Sequence, residues 1–281
     1  MAKSYRSELV GVFGCPVDEN PTIVMEEAAF KAKNLNWRYI TMLVKPENLD
    51  AAFEALRALN FAGVNLTIPH KVEALKYVDG LSKKAELIGA INTIINRDGK
   101  LFGENTDGAG FVQGMQKQGL ELRGKSIVVL GAGGASRAIC VECALAGAGK
   151  LLILNRTLHK ADEIAAVVKK NTPCEVKTAE WKGTAHIPPC DILINATSIG
   201  LFPDPGFPDI FYEDITPAMI VQDIIPNPAK TEFLKKAKER GAMTYDGLSM
   251  LVEQGAIGFK LWTGQDAPTE VMHSALAKEF E

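Results

Sequence analysis

No stretch of this sequence reaches the roughly 18 consecutive apolar residues of a membrane-spanning helix, so no transmembrane span is expected. The opening MAKSYRSELVGVFG has too short an apolar run, broken by Glu8, to serve as a secretory h-region. Cysteine is sparse: five residues, odd in number and scattered, do not form a disulfide framework. A reducing cytoplasm is therefore the expected location. A basic excess is also missing. Lys plus Arg is 31 against 34 for Asp plus Glu, a net charge of −3, and a chain that grips many phosphates should be far more basic. Aromatics are 7% and are not interleaved with basic residues as in a base-stacking platform. No nucleic acid and no membrane are expected as partners. His159, His186 and His273 lack ligand spacing, and no metal is expected.

What remains is an ordinary globular composition, 47% apolar and 23% charged over 281 residues, enough for one large domain or two modest ones. The first hundred residues alternate short elements. LVGVFG reads as a strand, 22–33 as a helix and WRYITMLV as a strand. PENLDAAFEALRALN places Leu49, Ala52, Phe53 and Leu56 at i, i+3, i+4 and i+7, an amphipathic helix with Pro46 near its first turn. GVNLTIP reads as a strand. INTIIN and KLFGEN read as a hairpin around the turn pair Asp98-Gly99.

From about 124 to 225 the strands change character. SIVVLG, KLLILN, DILINAT and MIVQDII are almost wholly apolar, as strands buried on both faces of a parallel sheet are. Ala161, Ile164, Ala165 and Val168 mark a helix between the second and third, so the pattern predicts a doubly wound α/β sheet. FPDPGFPD at 202–209 reads as a Pro/Gly-rich loop. Beyond Asp246, Leu248, Leu251, Val252, Gly255, Phe259 and Trp262 share a helical face, and a last helix runs from Pro268. These helices either cap the sheet domain or return to the first domain.

Gly131-Ala132-Gly133-Gly134-Ala135-Ser136 follows the strand IVVL and precedes a helical run. Glycines there tighten the turn and admit a pyrophosphate, and the helix N-terminus supplies N–H groups and positive dipole. The third glycine of the usual fingerprint is Ser136 here. The next strand ends at Asn155-Arg156-Thr157, where an acid usually holds the ribose 2′-hydroxyl. No acid occurs before Asp162. Arg156, Thr157 and Lys160 suit a 2′-phosphate instead, so the expected cofactor is NADP rather than NAD. Cys140 and Cys143, spaced C-x-x-C inside the following helix, read as small residues packed on the sheet.

Lys71 lies just past the end of the GVNLTIP strand, and Asp107 follows the hairpin at a helix start. Singly they read as a surface lysine and an N-cap. Together they form an ammonium–carboxylate pair suited to proton transfer during hydride chemistry. His70 reads as a neighbour of Lys71 rather than a base.

NLTIPHK, GAINTI, GENTDGAGF, LGAGGASRA, NRT, INATSIG and DGLSMLVEQGAIGFKLWTG, in order from about 9 to 264, resemble the shikimate dehydrogenase family, including its quinate/shikimate branch. The resemblance implies a cytoplasmic NADP-dependent oxidoreductase of aromatic amino acid biosynthesis or quinate metabolism. It acts on a small cyclic polyol as a monomer or homodimer. The implied domains are a substrate-binding, catalytic α/β domain over 1–108 and a Rossmann-type NADP domain over 109–245. Helices over 246–281 then return to the first domain. Lys71 and Asp107 resemble the catalytic pair. Asn65, Thr67, Asn92 and Gln254 resemble residues that hydrogen-bond the polyol, with strand-edge pairing the alternative for Asn65 and Thr67. Asn20 and Thr22 fall where the substrate carboxylate is bound. Asn195, Thr197 and Ser198 resemble the loop beside the cofactor, and Gly247 joins the cofactor set.

Two departures bear on the carboxylate. The usual Ser-x-Ser or Ser-x-Thr is Asn20-Pro21-Thr22, and the His-Asn that often follows is Glu26-Glu27. The tyrosine of the DxxY motif is Pro226. Glu26 and Glu27 would repel an anion if they faced the pocket. The alternative is two exposed acids in a helix first turn, favoured by the macrodipole. The expected reaction is hydride transfer at a ring carbon of 3-dehydroshikimate/shikimate or dehydroquinate/quinate. The alternatives are another cyclic polyol without a carboxylate, or a non-catalytic NADP or metabolite sensor that kept the fold.

Overall fold

The computed structural model describes residues 5–203 and 206–281. Asp204 and Pro205, within the loop read at 202–209, lie outside the described residues, as do Met1–Ser4 of the N-terminal stretch. The chain divides into two compact units. One holds residues up to Thr106 together with Val252–Glu279, and the other spans Asp107–Leu251. The sequence expectation placed these boundaries after 108 and 245.

The first unit opens with β1 (Glu8–Gly14), α1 (Thr22–Ala32), β2 (Trp37–Leu43), α2 (Leu49–Ala58), β3 (Gly63–Leu66), α3 (His70–Glu73), β4 (Gly80–Leu81), α4 (Lys83–Ile88), β5 (Thr93–Arg97) and β6 (Lys100–Glu104). Its sheet order is β2-β1-β3-β5-β6-β4. β1 is parallel to both β2 and β3, whereas β3–β5 and β5–β6 are antiparallel. The β5–β6 hairpin turns on Asp98 and Gly99, both at positive φ. β3 is a central strand, so strand-edge pairing does not account for Asn65 at its inner end. Phe13, Leu49, Phe53, Leu56, Val64, Ile91, Ile94 and Leu101 form a core on which α2 lays its predicted apolar stripe.

The second unit contains α5 (Asp107–Lys117), β7 (Ser126–Leu130), α6 (Gly134–Leu145), β8 (Lys150–Asn155), α7 (Leu158–Asn171), β9 (Glu175–Glu180), β10 (Ile192–Asn195), β11 (Ile220–Asp223), α8 (Glu232–Glu239) and β12 (Met243–Tyr245). Its sheet order is β12-β11-β10-β7-β8-β9, and every pairing is parallel. The order reverses between β7 and β10. In an open α/β sheet the crevice at the carboxyl ends of such strands receives ligands. β9 and β12, the two edge strands, were not read from sequence. EVKTAE and MTY are paired on one flank only, so they carry none of the continuous apolar run of the inner strands.

α9 (Leu248–Thr263) begins in the second unit and passes into the first, where α10 (Thr269–Glu279) follows. Phe259 stacks on Phe30 of α1 with ring centroids 5.4 Å apart. Trp262 Nε1 donates to the Ile94 carbonyl at 2.9 Å. These contacts fasten the C-terminal helices to the sheet of the first unit. Among the described residues no helix is long and apolar enough to cross a membrane.

Candidate active site

In the first unit, side chains from β2, β3, β5 and α9 converge in a buried polar cluster. Asn65 Nδ2 donates to Thr93 Oγ1 at 3.1 Å and to the Asn92 carbonyl at 3.3 Å, while its Oδ1 accepts from the Tyr39 hydroxyl at 2.8 Å. Asn92 Nδ2 donates to Thr106 Oγ1 at 2.9 Å and to Gln254 Oε1 at 3.3 Å. Asn92 Oδ1 accepts from the Thr106 amide at 2.7 Å. All of these residues are buried, Tyr39 included at 3% exposed. Amides and hydroxyls can each give and accept, so this cluster can trade partners with the hydroxyls of a polyol. Thr93, Thr106 and Tyr39 were missed in the sequence. The first two sit beside Asn92 and Asp107 in the same motifs, but Tyr39 carries no local signal in WRYITMLV.

Lys71 lies in α3, immediately after β3, and is half-buried. Its carbonyl accepts from the Ile91 amide at 2.8 Å, which anchors the Lys71 backbone next to Asn92. His70 is buried and its Nε2 contacts the Val44 carbonyl at 2.7 Å, a structural role. Thr67 is half-buried at the end of β3, its amide donating to the Phe13 carbonyl. Asp107 belongs to the second unit, where it is the first residue of α5.

At the start of α1, Asn20 Oδ1 accepts from the Thr22 amide at 3.1 Å, so the asparagine carbonyl oxygen serves the helix end. The expectation of two exposed acids in the first turn is overturned. Glu26 is the fifth residue of α1 and is fully buried, with neither oxygen hydrogen-bonded among the described residues. Burial pushes its carboxyl well above the usual range. Glu27 instead lies on the outer side. It accepts from the Tyr39 amide at 2.6 Å and pairs loosely with Arg38.

In the second unit the glycine turn follows β7. Gly131 has φ +102°, and a Cβ there would lie 2.8 Å from Thr197 Cγ2, so both backbone and space require glycine. Ser136, standing for the third glycine, donates its hydroxyl to the Gly131 carbonyl at 2.6 Å and locks the turn. A Cβ on Gly133 would meet nothing within 4 Å. An open approach to a helix N-terminus is what a pyrophosphate needs, so Gly131, Ala132, Gly133, Gly134 and Ala135 fit a dinucleotide. Asn155 at the end of β8 donates to the Thr157 carbonyl at 2.8 Å. Thr157 occupies the N-cap of α7 without using its side chain as a cap. Arg156 and Lys160 are exposed, and no acid pairs with them among the described residues. One hydroxyl and two uncommitted cations fit a 2′-phosphate.

Asn195 organises the loop after β10. Its Oδ1 accepts from the Thr197 hydroxyl at 2.7 Å, and its Nδ2 donates to Asp223 at 3.0 Å. Asp223 also accepts from the Thr231 hydroxyl at 2.8 Å. Thr197 is half-buried and Ser198 exposed. Gly247 is buried, its amide donating to the Ile225 carbonyl at 3.0 Å. Pro226, in place of a tyrosine, is half-buried and offers no hydroxyl. Cys140 and Cys143 are buried in α6, and burial pushes the Cys140 thiol up to about 12, so they pack rather than react. Among the described residues no group of three His, Cys, Asp or Glu is placed to hold a metal ion.

A unit with a mixed sheet and a buried polar cluster, joined in one chain to a doubly wound unit with a glycine turn, defines a two-unit α/β dehydrogenase. The chain matches the shikimate dehydrogenase substrate-binding domain over residues 12–94. It matches the shikimate/quinate 5-dehydrogenase domain over 114–201 and the shikimate 5′-dehydrogenase C-terminal domain over 247–277. It is 40% identical to the shikimate dehydrogenase (NADP+) of Desulforamulus reducens, with 98% of this chain and 96% of that one aligned. The crystal structure of a ligand-free 5-ketofructose reductase of Gluconobacter sp. strain CHM43 superposes with a TM-score of 0.91 at 44% identity, covering 99% of this chain and 100% of that one. A shikimate dehydrogenase in complex with NADP+ superposes at 0.90 with 38% identity, covering 98% and 96%. The chain belongs to the shikimate dehydrogenase family, a family of oxidoreductases acting on CH–OH groups.

Proposed function

We propose that this enzyme interconverts a ketone and a secondary alcohol on a polyhydroxylated ring with NADP(H), using Lys71 as acid/base and Asp107 as its assistant. The observation that carries this reading is the buried cluster of Asn65, Asn92, Thr93, Thr106 and Gln254 next to Lys71. So many amide and hydroxyl groups in one apolar surround match a ligand rich in hydroxyls. NADP(H), when bound at the glycine turn, supplies or accepts the hydride.

The Lys71 ammonium gives a proton to the ketone oxygen on reduction, and the amine takes it back on oxidation. Asp107, the first residue of α5, holds a substrate hydroxyl. Asn65, Asn92, Gln254 and Thr67 orient the ring. Asn20 and Thr22 face the substituent where related substrates carry a carboxylate. Ser136 fixes the turn that receives the pyrophosphate. Arg156, Thr157 and Lys160 select the 2′-phosphate, with Asn155, Thr197, Ser198 and Gly247 completing the cofactor wall and Asn195 positioning its loop.

Shikimate is supported by relatives such as the 40%-identical shikimate dehydrogenase (NADP+), and quinate by the shikimate/quinate 5-dehydrogenase domain match. A neutral polyol is supported by the 44%-identical 5-ketofructose reductase and by the buried acid on α1. The test of the shared chemistry is Lys71→Ala. It should lower kcat by about 10²–10⁴-fold, the range of positioned acid/base groups, while leaving NADPH affinity within about twofold. Undiminished kcat in that variant removes the lysine from the mechanism.

A further inference from the structure

α1 presents Thr22 and Glu26, one turn apart, on its inner face, and both side chains are buried. Glu26 is tied to the polyol-binding cluster on two sides. Its Oε1 lies 3.1 Å from where a Cβ on Gly255 would be, and Gly255 follows Gln254 on α9. A Cβ at Gly255 would also lie 2.2 Å from the Met25 methyl, so α1 and α9 pack closely here. On its other side Glu26 acts electrostatically on the Tyr39 phenol, which itself contacts Thr22 and donates to Asn65. No basic side chain pairs with Glu26 among the described residues, and both of its oxygens are without partners. A buried acid with two unused acceptors is costly unless something supplies donors.

We infer that Glu26 makes this site selective for an uncharged polyhydroxylated ketone, its carboxyl group taking hydrogen bonds from substrate hydroxyls where a carboxylated ring would bring a second acid group. The inference rests on the cluster being the substrate site. Hydroxyl donors satisfy both Glu26 oxygens and favour its anion. A substrate carboxylate has no proton to give: against the neutral acid it can take only the one Glu26 proton and leaves the other Glu26 oxygen without a donor, and against the anion it meets like charge. Of the two hydroxyls that would grip a carboxylate only that of Thr22 is present, because asparagine stands at position 20, its Oδ1 accepting from the Thr22 amide. Discrimination of this kind is effective because the mismatched ligand leaves buried polar groups unpaired.

The experiment compares kcat/KM for NADPH oxidation with 5-ketofructose, neutral, and 3-dehydroshikimate, anionic, in the wild type and in Glu26→Gln. The wild type should favour the neutral ketone by at least about 100-fold. Glu26→Gln keeps the shape, removes the charge and should narrow that ratio at least about tenfold, chiefly through KM. Product inhibition of the wild type gives a reading that does not depend on the variant folding: D-fructose should compete and shikimate should not. Comparable kcat/KM for the two ketones in the wild type, a preference for 3-dehydroshikimate, or a ratio unchanged in a folded Glu26→Gln overturns the inference and leaves the dehydrogenase reading standing. No NADPH oxidation with either ketone overturns that reading, and the inference with it.

Discussion

Just after β8, Arg156 and, in the first turn of α7, Lys160 are exposed and form no ion pair among the described residues. A charge-assisted hydrogen bond from a guanidinium to a phosphate is worth about 1.5–3 kcal/mol, and about 1.4 kcal/mol is tenfold in affinity. Arg156→Ala should therefore raise KM for NADPH about tenfold and leave KM for NADH nearly unchanged. Initial rates with the two cofactors at fixed ketone check this, and equal losses for both would mean Arg156 does not read the 2′-phosphate. Glu26 and Glu27 show how little adjacent sequence says about environment. They are neighbours on α1, yet one is sealed among Thr22, Tyr39 and Gly255 and the other braces the Tyr39 amide at the surface. The pair Glu-Glu was legible as a departure from the family pattern. Which acid turned inward was not, because that depends on how α1 is rotated against β2 and α9.

The loops after β10 and β11 are built as one network through Asn195, Asp223 and Thr231. Asp223 accepts hydrogen bonds there, yet burial outweighs them and pushes its carboxyl up to about 7 from an ordinary 3.8. Between about pH 4 and 7 the folded protein holds a proton at Asp223 that the unfolded chain has released. Stability contributed by this group is thus full below pH 4 and is lost as pH rises to 7. Asp223→Asn, neutral at every pH, should flatten that slope in thermal melts taken from pH 5 to 7.5. A slope identical to wild type would place the proton elsewhere. Among the elements, the inner strands SIVVLG, KLLILN, DILINAT and MIVQDII announce themselves, because burial on both faces demands continuous apolar residues. The edge strands β9 and β12 are paired on one flank only and so escape that demand. Their existence follows from the finished sheet rather than from their own residues.

Seen as a whole, the chain makes its first unit from both of its ends, residues up to 106 and 252–279, with the second unit inserted between. The return of the C-terminal helices depends on a few large contacts, Phe259 on Phe30 and Trp262 on the Ile94 carbonyl. Phe259→Ala leaves an unfilled space in this core and should cost about 3–5 kcal/mol in urea denaturation, as buried Phe→Ala changes do. A loss below about 1 kcal/mol would show that the α9 contact is not what closes the first unit. The helical face of α9 was readable from Val252, Gly255, Phe259 and Trp262, but the same stripe could have covered the other sheet, and only the resemblance pointed to the first.

By itself the sequence determined the parallel sheet and the glycine turn with its serine, and it nominated the basic set Arg156, Thr157 and Lys160 and the residues Lys71, Asp107, Asn92 and Gln254 on which the proposed chemistry rests. Each of these is encoded locally, in an apolar run, a tight turn or a short motif. Tertiary structure alone decided that Tyr39, Thr93 and Thr106 share one hydrogen-bonded cluster with Asn65 and Asn92, and that Glu26 is buried beside it without a partner. Those facts arise where β2, β3, β5, α1 and α9 meet, at sequence separations no local pattern spans, and the packing of the sheet fixes them.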